Sequence, residues 1–230
     1  HLTIGYSASH PVITDIDLAL RSGQLSCLIG ENGIGKSTLL KTLTGFLPKL
    51  GGNLLLDGRD IQSYSQRELA REVSIVLTQK PDVQNLTIEE IIGLGRSPYT
   101  GFFGRLRAED RLVVEDAIAA MGIEKLKGRM IQTLSDGERQ KVMIAKALAQ
   151  ETSVILLDEP TAFLDFPSKA ETFQTLRRMA HERDKLILLS THDLELAVRF
   201  ADCLLEVREG RLKEVSAADV KASMQTIMGS

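Results

Sequence analysis

Residues 25–44 read LSCLIGENGIGKSTLLKTLT. The stretch holds an apolar, strand-like run, then a glycine-rich turn, then a helical pattern that starts at Lys36. The turn has the spacing G-x-x-x-x-G-K-[ST]. Its glycines let the backbone point its amides inward around a phosphate, and the N-terminus of the following helix adds partial positive charge. The stretch therefore predicts a strand–loop–helix unit that binds a nucleoside triphosphate.

Individual residues of this loop have predicted roles in holding the nucleotide. The ammonium group of Lys36 can reach the β- and γ-phosphates, and the hydroxyl of Ser37 can ligate Mg²⁺. The nucleotide contacts predicted in the loop are Gly30, Asn32, Gly33, Gly35, Lys36, Ser37 and Thr38. The alternative is a tight turn in front of a helix, with no ligand.

A pair of consecutive acids follows a second apolar run, residues 154–157. Asp158 emerges at the end of that run, where it would hold Mg²⁺ through a water molecule. Glu159, one residue further on, could orient and deprotonate the water that attacks the γ-phosphate. Consecutive acids at a strand end are also common as solvated loop charge, but the phosphate loop favours the catalytic interpretation.

A histidine, His192, follows a third apolar run, residues 186–189. Ligands of open α/β sheets bind beyond the carboxyl ends of the strands. Because Lys36, Asp158 and His192 each follow such an end, we expect them to converge on one phosphate. His192 would contact the γ-phosphate and help to position the water. The alternative is a polar strand terminus whose neighbour, Asp193, caps the next helix.

Apolar runs alternate with helical patterns along much of the chain, which predicts an α/β fold with a mainly parallel, covered sheet. The predicted strands are residues 25–29, 54–56, 73–77, 154–157, 186–189 and 203–207, and the helices that follow some of them are residues 36–44, 168–181 and 194–200. Between residues 81 and 150 the pattern is helical, over 107–121 and 137–150, with a loop GLGRSPYTGFFGR before the first of these. We therefore expect one domain, 1–230, whose core (1–79 and 151–230) carries an inserted α-helical subdomain (80–150).

Composition narrows the classes of function. The formal net charge is -3, so no overall basic field attracts nucleic acid. Aromatic residues are 4% with no tryptophan, too sparse for a platform that stacks single-stranded bases. No apolar run approaches the ~20 residues of a membrane span, and the first ten residues lack the pattern of a secretory signal. Cys27 and Cys203 lie in apolar runs, which predicts buried free thiols.

Residues 134–140, LSDGERQ, stand just before a helical stretch and ahead of the acid pair. Together with the phosphate loop, the acid pair and His192, they resemble the ATP-binding cassettes of ABC transporters over nearly the whole chain. That family's signature reads LSGGQ. The resemblance implies a P-loop NTPase (RecA-like) core with an antiparallel N-terminal β region. It also implies that two chains sandwich two ATP molecules head to tail.

The resemblance assigns roles to the signature and to the segment after the acid pair. Ser135 and the amide of Gly137, with Glu138 in the glutamine's place, would bind the γ-phosphate of ATP held on a second cassette. Asp165, in the sequence Phe-Leu-Asp, looks like the aspartate of the D-loop, which couples the two sites across the dimer.

Two further positions match the family outside these motifs. Gln79, in VLTQKP, looks like the Q-loop glutamine that contacts Mg²⁺ and senses the γ-phosphate; a solvent-facing strand end is the alternative. Tyr6 looks like the aromatic residue that stacks on adenine. Half-buried packing within a strand is the alternative for Tyr6.

The signature departs from the family pattern at two positions. Asp136 replaces its first glycine and Glu138 its glutamine. An acid beside a triphosphate repels it by about 1 kcal/mol at ~4 Å in water. We therefore expect Asp136 to point away from the phosphates, as a helix cap for example, or the composite site to be weakened. Activity should survive because Ser135 and Gly137 remain.

A loop within the helical region indicates a transport class. Residues 95–104, GRSPYTGFFG, resemble cassettes of importers for iron-siderophores, haem and cobalamin, although an exposed linker is the alternative. The resemblance implies separate membrane permease subunits, a substrate-binding protein, and a peripheral location at the cytoplasmic face of the inner membrane. Exporter cassettes, and ABC ATPases that act on DNA or ribosomes, are the alternatives. A small-molecule P-loop kinase would lack the LSDGE segment.

Overall fold

Strands and helices alternate along the chain, as the apolar runs predict. The computed structural model describes residues 1–78, 84–101 and 104–228. Its strands are β1 (Leu2–Ser7), β2 (His10–Ile16), β3 (Gln24–Ile29), β4 (Leu55–Leu56), β5 (Arg59–Asp60), β6 (Val73–Val76), β7 (Val154–Asp158), β8 (Leu186–Ser190), β9 (Cys203–Arg208) and β10 (Arg211–Val215). Its helices are α1 (Lys36–Leu43), α2 (Gln66–Glu72), α3 (Ile88–Gly93), α4 (Ala108–Ala120), α5 (Asp136–Ala149), α6 (Phe166–Glu182), α7 (Leu194–Phe200) and α8 (Ala217–Met228).

A mostly parallel sheet forms the centre of the molecule. Within the described ranges it has six strands in the order β10–β9–β3–β8–β7–β6. Only β10 runs antiparallel to its neighbour among these strands. Strands β3, β7 and β8 are buried almost throughout, which explains why their apolar runs are continuous rather than alternating. The predicted α/β fold with a mainly parallel sheet is confirmed.

The two faces of the sheet bury different side chains of the same strand. In β3, Leu25 and Cys27 belong to the core that includes residues of α5 and α6. Leu28 belongs to the opposite core, which includes residues of α1 and of β1 and β2. This alternation is the period of two that a strand imposes. Cys27 and Cys203 are free thiols, as predicted, and only Cys27 is fully buried.

The N-terminal segment forms an antiparallel hairpin of β1 and β2. It packs on the same face of the sheet as α1, with Ile4 and Ile13 fully buried. The amide of Thr14 donates to the carbonyl of Gly210, in the turn between β9 and β10, at 3.0 Å. The predicted antiparallel N-terminal β region is therefore confirmed.

The predicted strand at residues 54–56 lies outside the parallel sheet. Strand β4 pairs antiparallel with β5. Between them Asp57 and Gly58 have φ of +49° and +78°. Positive φ at both central residues is what a two-residue Asp-Gly hairpin turn requires. The turn therefore folds this run back on itself.

Helices fill the described part of the chain between β6 and β7, as predicted. Helices α3, α4 and α5 pack against one another there. Helices α2 and α3 are absent from the sequence prediction, although each begins with a capping box, Ser65 with Glu68 and Thr87 with Glu90. The S/T-x-x-E spacing was the signal that could have located them.

The Gly-Arg-Ser-Pro-Tyr segment is a packed element rather than an exposed linker. A Cβ on Gly95 would lie 2.3 Å from the carbonyl oxygen of Lys146 in α5, so only glycine permits this approach. The guanidinium of Arg96 is buried and donates to Asp110 at 3.0 Å and to the carbonyl of Ala149 at 2.8 Å. It therefore joins the start of α4 to the end of α5. Phe102 and Phe103, later in the loop, lie outside the described residues.

Loss of the buried guanidinium should destabilise the helical region. We expect Arg96→Met to lower the free energy of unfolding by about 3 kcal/mol, because it leaves the carboxylate of Asp110 buried without its cation. Arg111→Met, at an exposed position of the same helix α4, is the control and should change it by less than about 0.5 kcal/mol. Urea denaturation measures both, and equal values for the two variants would contradict the role given to Arg96.

Candidate nucleotide-binding site

The glycines of the phosphate loop are fixed by close neighbours. Gly30 has φ +147°, and a Cβ there would lie 2.7 Å from the carbonyl oxygen of Val207 in β9. Gly35 has φ +118°, and a Cβ there would lie 2.4 Å from Cγ1 of Val12 in β2. The loop is therefore pressed between the end of the sheet and the N-terminal hairpin, in a backbone conformation that L side chains rarely adopt.

Lys36, the first residue of α1, brings a cation into this loop. The residue is 5% exposed, and its Nζ donates to the carbonyl oxygens of Gly30 at 2.7 Å and Glu31 at 2.9 Å. Burial lowers the pKa of Lys36, and the nearby carboxylates of Glu159 and Asp158 partly oppose that shift. The ammonium group is therefore held where phosphate oxygens can compensate its lost hydration.

The acid pair is organised by a residue that sequence reasoning missed. Asp158, the last residue of β7, is buried, and its Oδ1 accepts a hydrogen bond from the hydroxyl of Ser190 at 2.7 Å. The same hydroxyl accepts from the amide of Glu159 at 2.9 Å. Ser190 stands opposite Asp158 in the β7–β8 register. Its only signal in the sequence is a polar residue that ends an apolar run.

His192 lies between the acid pair and the phosphate loop. Its Nε2 is 2.6 Å from Oε1 of Glu159 and 3.4 Å from Nζ of Lys36. A ring nitrogen either donates or accepts a hydrogen bond, and the shorter contact favours donation to the carboxylate. Glu159 has φ +49°, which is uncommon for a residue with a side chain. The structure therefore brings Lys36, Glu159 and His192 together at one end of the sheet, and their convergence on a phosphate stays a prediction.

Asp193 tethers the turn that carries His192. It stands at the N-cap position of α7 but makes no side-chain cap hydrogen bond. Instead its carboxylate accepts from the hydroxyl of Thr161 at 3.2 Å and from Nζ of Lys169 in α6 at 3.0 Å. The capping role considered from the sequence is therefore not what this side chain does.

Tyr6 stands beside the phosphate loop with its ring in solvent. The residue is 69% exposed, and its hydroxyl accepts from Oγ1 of Thr38 at 3.3 Å. The half-buried packing considered as an alternative is not observed. An exposed ring next to the loop is able to stack on a base.

The signature forms the first turn of α5. Ser135 is the N-cap, and its hydroxyl accepts from the amide of Glu138 at 3.2 Å while Glu138 accepts from the amide of Ser135 at 2.8 Å. Asp136 is the first residue of the helix, so the capping role suggested for Asp136 from the sequence is wrong and belongs to Ser135. A Cβ on Gly137 would lie 3.1 Å from Cδ2 of Leu164, so the turn packs on the segment that contains Asp165.

Asp165 itself caps α6. Its carboxylate accepts from the amide of Ser168 at 3.0 Å, and hydrogen bonds from Ser168 hold its pKa below the usual range. Gln79 lies outside the described residues. Thr78, a described residue, lies beside the acid pair, since its hydroxyl donates to the carbonyl of Asp158 at 3.0 Å.

The donor set at the loop is suited to Mg²⁺ bound together with a nucleotide. The described residues contain no group of three or more His, Cys, Asp or Glu side chains placed to hold a metal ion alone. Magnesium commonly uses one or two carboxylates together with substrate phosphates and waters. The hydroxyl of Ser37 on α1 and the carboxylate of Asp158 fit that chemistry.

The two inner glycines of the loop provide a matched test of its geometry. We expect Gly35→Ala to lower the free energy of unfolding by about 2 kcal/mol more than Gly33→Ala does, because the methyl group of the new alanine would collide with Val12. The displaced loop should also lose ATP binding. A Cβ at Gly33 meets nothing within 4 Å, and its φ is +75°. Calorimetry of nucleotide binding and urea denaturation measure the difference. Normal ATP affinity in Gly35→Ala would contradict this geometry.

Comparison with known proteins agrees with these features. The family model described as ABC transporter matches residues 13–162. The achromobactin transport ATP-binding protein of Dickeya dadantii is 42% identical over 207 residues, 90% of this chain and 76% of that protein. For the iron(3+)-hydroxamate import ATP-binding protein of Bacillus subtilis the identity is 38% over 221 residues, 95% of this chain and 81% of that protein. A solved inward-facing structure, described as a metal-chelate type ABC transporter, matches with a TM-score of 0.79 at 25% identity, covering 95% of this chain and 84% of that one. The chain therefore belongs to the ABC transporter family, as one of its ATP-binding ATPase subunits.

Proposed function

We propose that this ATPase works as a pair of chains that powers import of a metal chelate, of the ferric siderophore, haem or cobalamin type, through separate membrane permease subunits. The observation that carries the catalytic part is the convergence of Lys36, Glu159 and His192 within hydrogen-bonding distance at one end of the parallel sheet. The chelate and the direction of transport are supported by the relatives, an achromobactin transport protein and an iron(3+)-hydroxamate import protein.

The loop and the N-terminal hairpin would hold the nucleotide between them. Tyr6 would stack on adenine, since its exposed ring lies next to Thr38. Lys36 would exchange its two carbonyl partners for oxygens of the β- and γ-phosphates. The remaining loop contacts would come from Gly30, Asn32, Gly33, Gly35, Ser37 and Thr38.

The side chains around the γ-phosphate suit in-line attack by water. The carboxylate of Glu159 would orient the water and accept its proton, and His192, 2.6 Å from Oε1, would hold that carboxylate in place. Lys36 would stabilise charge on the transferred phosphoryl group. When bound, Mg²⁺ would neutralise charge on the phosphates, held by Ser37, by Gln79 and, through water, by Asp158.

The signature turn has donors suited to a phosphate carried by a second chain. The hydroxyl of Ser135 accepts from Glu138, which leaves its own hydrogen able to donate. The amide of Gly137, in the first turn of α5, has no acceptor within the helix. Asp165, which directly follows the Leu164 that contacts this turn, would couple the two sites. The functional assembly would therefore be a head-to-tail dimer.

Movement of the dimer would pass to the membrane subunits through the helical subdomain, residues 80–150, while residues 1–79 and 151–230 form the nucleotide-binding core. Leu94 and Leu112 of this subdomain are 47% and 69% exposed, and a docked permease subunit would bury apolar side chains of this kind. None of the helices in the described ranges is long and apolar enough to cross a membrane. By analogy with the transport ATP-binding relatives, the chain would work as a peripheral subunit on the cytoplasmic face of the inner membrane, with a substrate-binding protein acting indirectly.

Removal of the proposed base should separate binding from chemistry. We expect Glu159→Gln to lower kcat by about a hundredfold or more, since general base catalysis is lost, while ATP binding persists and the dimer is trapped. His192→Ala should lower kcat more than it raises the dissociation constant for ATP. Phosphate release and equilibrium binding measure the two effects. Unchanged turnover in Glu159→Gln would remove the assignment of the base.

The class of partner can be tested by stimulation of the ATPase. We expect reconstitution with permease subunits of a metal-chelate importer to raise turnover, and DNA or ribosomes to leave it unchanged, since the formal net charge of -3 gives no overall basic field. Ferric siderophores, haem and cobalamin, each with its binding protein, then distinguish the cargo. Stimulation by DNA or ribosomes alone would contradict the transport function.

A further inference from the structure

The signature turn of this chain carries two acids where the proposed function requires a phosphate to approach. Asp136 is the first residue of α5 and Glu138 is the third. Carboxylates close to a triphosphate repel it, and the repulsion grows as water is excluded from the interface. A cation near the turn would offset that repulsion.

Both carboxylate oxygens of Glu138 have partners. Oε2 accepts from the amide of Ser135 at 2.8 Å and so closes the capping box. Oε1 accepts from Nη1 of Arg129 at 3.2 Å. The hydrogen bonds from Ser135, together with Arg129, hold the pKa of Glu138 below its usual range. The side chain is therefore an anion that the helix uses as part of its cap.

Arg129 is held in position independently of Glu138. Its carbonyl accepts from the amide of Ile88, at the start of α3, at 3.1 Å, and its own amide donates to Leu126 at 3.0 Å. The second guanidinium nitrogen, Nη2, donates to the carbonyl of Thr133 at 2.7 Å. The guanidinium thus donates both to the loop before the signature and to Glu138 within it. The side chain of Arg129 is 40% exposed.

We propose that Arg129 is a positioning residue of the ATPase site: its guanidinium neutralises Glu138 and so lets the acidic signature turn accept the γ-phosphate held by a second copy of this chain. The inference rests on the proposed function, because it needs the turn to face the partner's nucleotide. Arg129 acts through Glu138 in this scheme and makes no contact with the phosphate itself.

A double-mutant cycle on the full chain tests the proposal. We expect Arg129→Gln to raise KM for ATP and to lower kcat/KM about fivefold, with a smaller change in kcat, because an unscreened carboxylate opposes the incoming phosphate. Glu138→Gln should keep the fold of the turn, since glutamine can close the same capping box, and its kcat/KM is the reference for the second half of the cycle. In the Glu138→Gln background, Arg129→Gln should have no further effect. Arg129→Lys should retain most of the activity because it keeps the charge.

Lys127→Gln is the matched control. Lys127 lies in the same loop, its side chain is also 40% exposed, and it pairs with Glu115 of α4 rather than with the signature. It should leave kcat/KM unchanged. ATP-dependent dimer formation in the Glu159→Gln background, followed by light scattering, provides a second readout that does not need turnover. Urea denaturation of each variant shows whether its fold is intact.

Three results would count against the proposal. If Arg129→Gln lowers kcat/KM equally in the Glu138→Gln background, Arg129 acts directly on the phosphate. That result would overturn the proposal that Arg129 acts by neutralising Glu138. No loss in Arg129→Gln by either readout would also overturn it. Ser135→Ala tests the underlying function separately: if it leaves both turnover and dimer formation unchanged, the composite site is wrong and the inference falls with it.

Discussion

The rest of this site depends on one interaction, the compensation of a buried ammonium charge by oxygen atoms at the end of the parallel sheet. Lys36 is 5% exposed, and burial alone would favour its neutral form. Two loop carbonyls and the nearby carboxylates of Asp158 and Glu159 offset that cost. The oxygens of a bound triphosphate would compensate the lost hydration of the ammonium group in the same way. A loop built around this cation therefore favours anionic ligands.

The order of the strands explains why the catalytic groups meet. Strand β8 lies between β3, which leads to the phosphate loop, and β7, which ends in Asp158. His192 follows the middle strand and is therefore within reach of Lys36 on one side and Glu159 on the other. Ser190 ends the same strand, and the β7–β8 register places it opposite Asp158. Its hydroxyl therefore donates a hydrogen bond to the Asp158 carboxylate.

The sequence was sufficient to predict the strands that carry these groups, because a covered parallel strand leaves a continuous apolar run and the phosphate loop has a strict spacing. It could not show that β8 lies between β3 and β7, since strand order depends on packing over the whole sheet. Helix α2 was missed because none of its residues is buried, so it leaves no apolar stripe. Strand β10 was missed because it is an edge strand with mainly polar residues.

The signature shows how one group of atoms serves the fold and the proposed chemistry together. Ser135 caps α5 as a hydrogen-bond acceptor, which leaves its own hydrogen able to donate, while Glu138 serves the same cap as an anion. The sequence indicated the acids as departures from the family pattern. The reciprocal hydrogen bonds between Ser135 and Glu138 explain why an acid fits this position. They depend on the geometry of the helix end.

Crosslinking tests most directly whether each site is completed by a second chain. A chain carrying Asn32→Cys in the phosphate loop, Ser135→Cys in the signature and Cys203→Ser would be treated with a short bifunctional thiol reagent, with and without ATP. The account predicts covalent dimers that form only with ATP. Monomers joined internally between residues 32 and 135, in place of dimers, would contradict it.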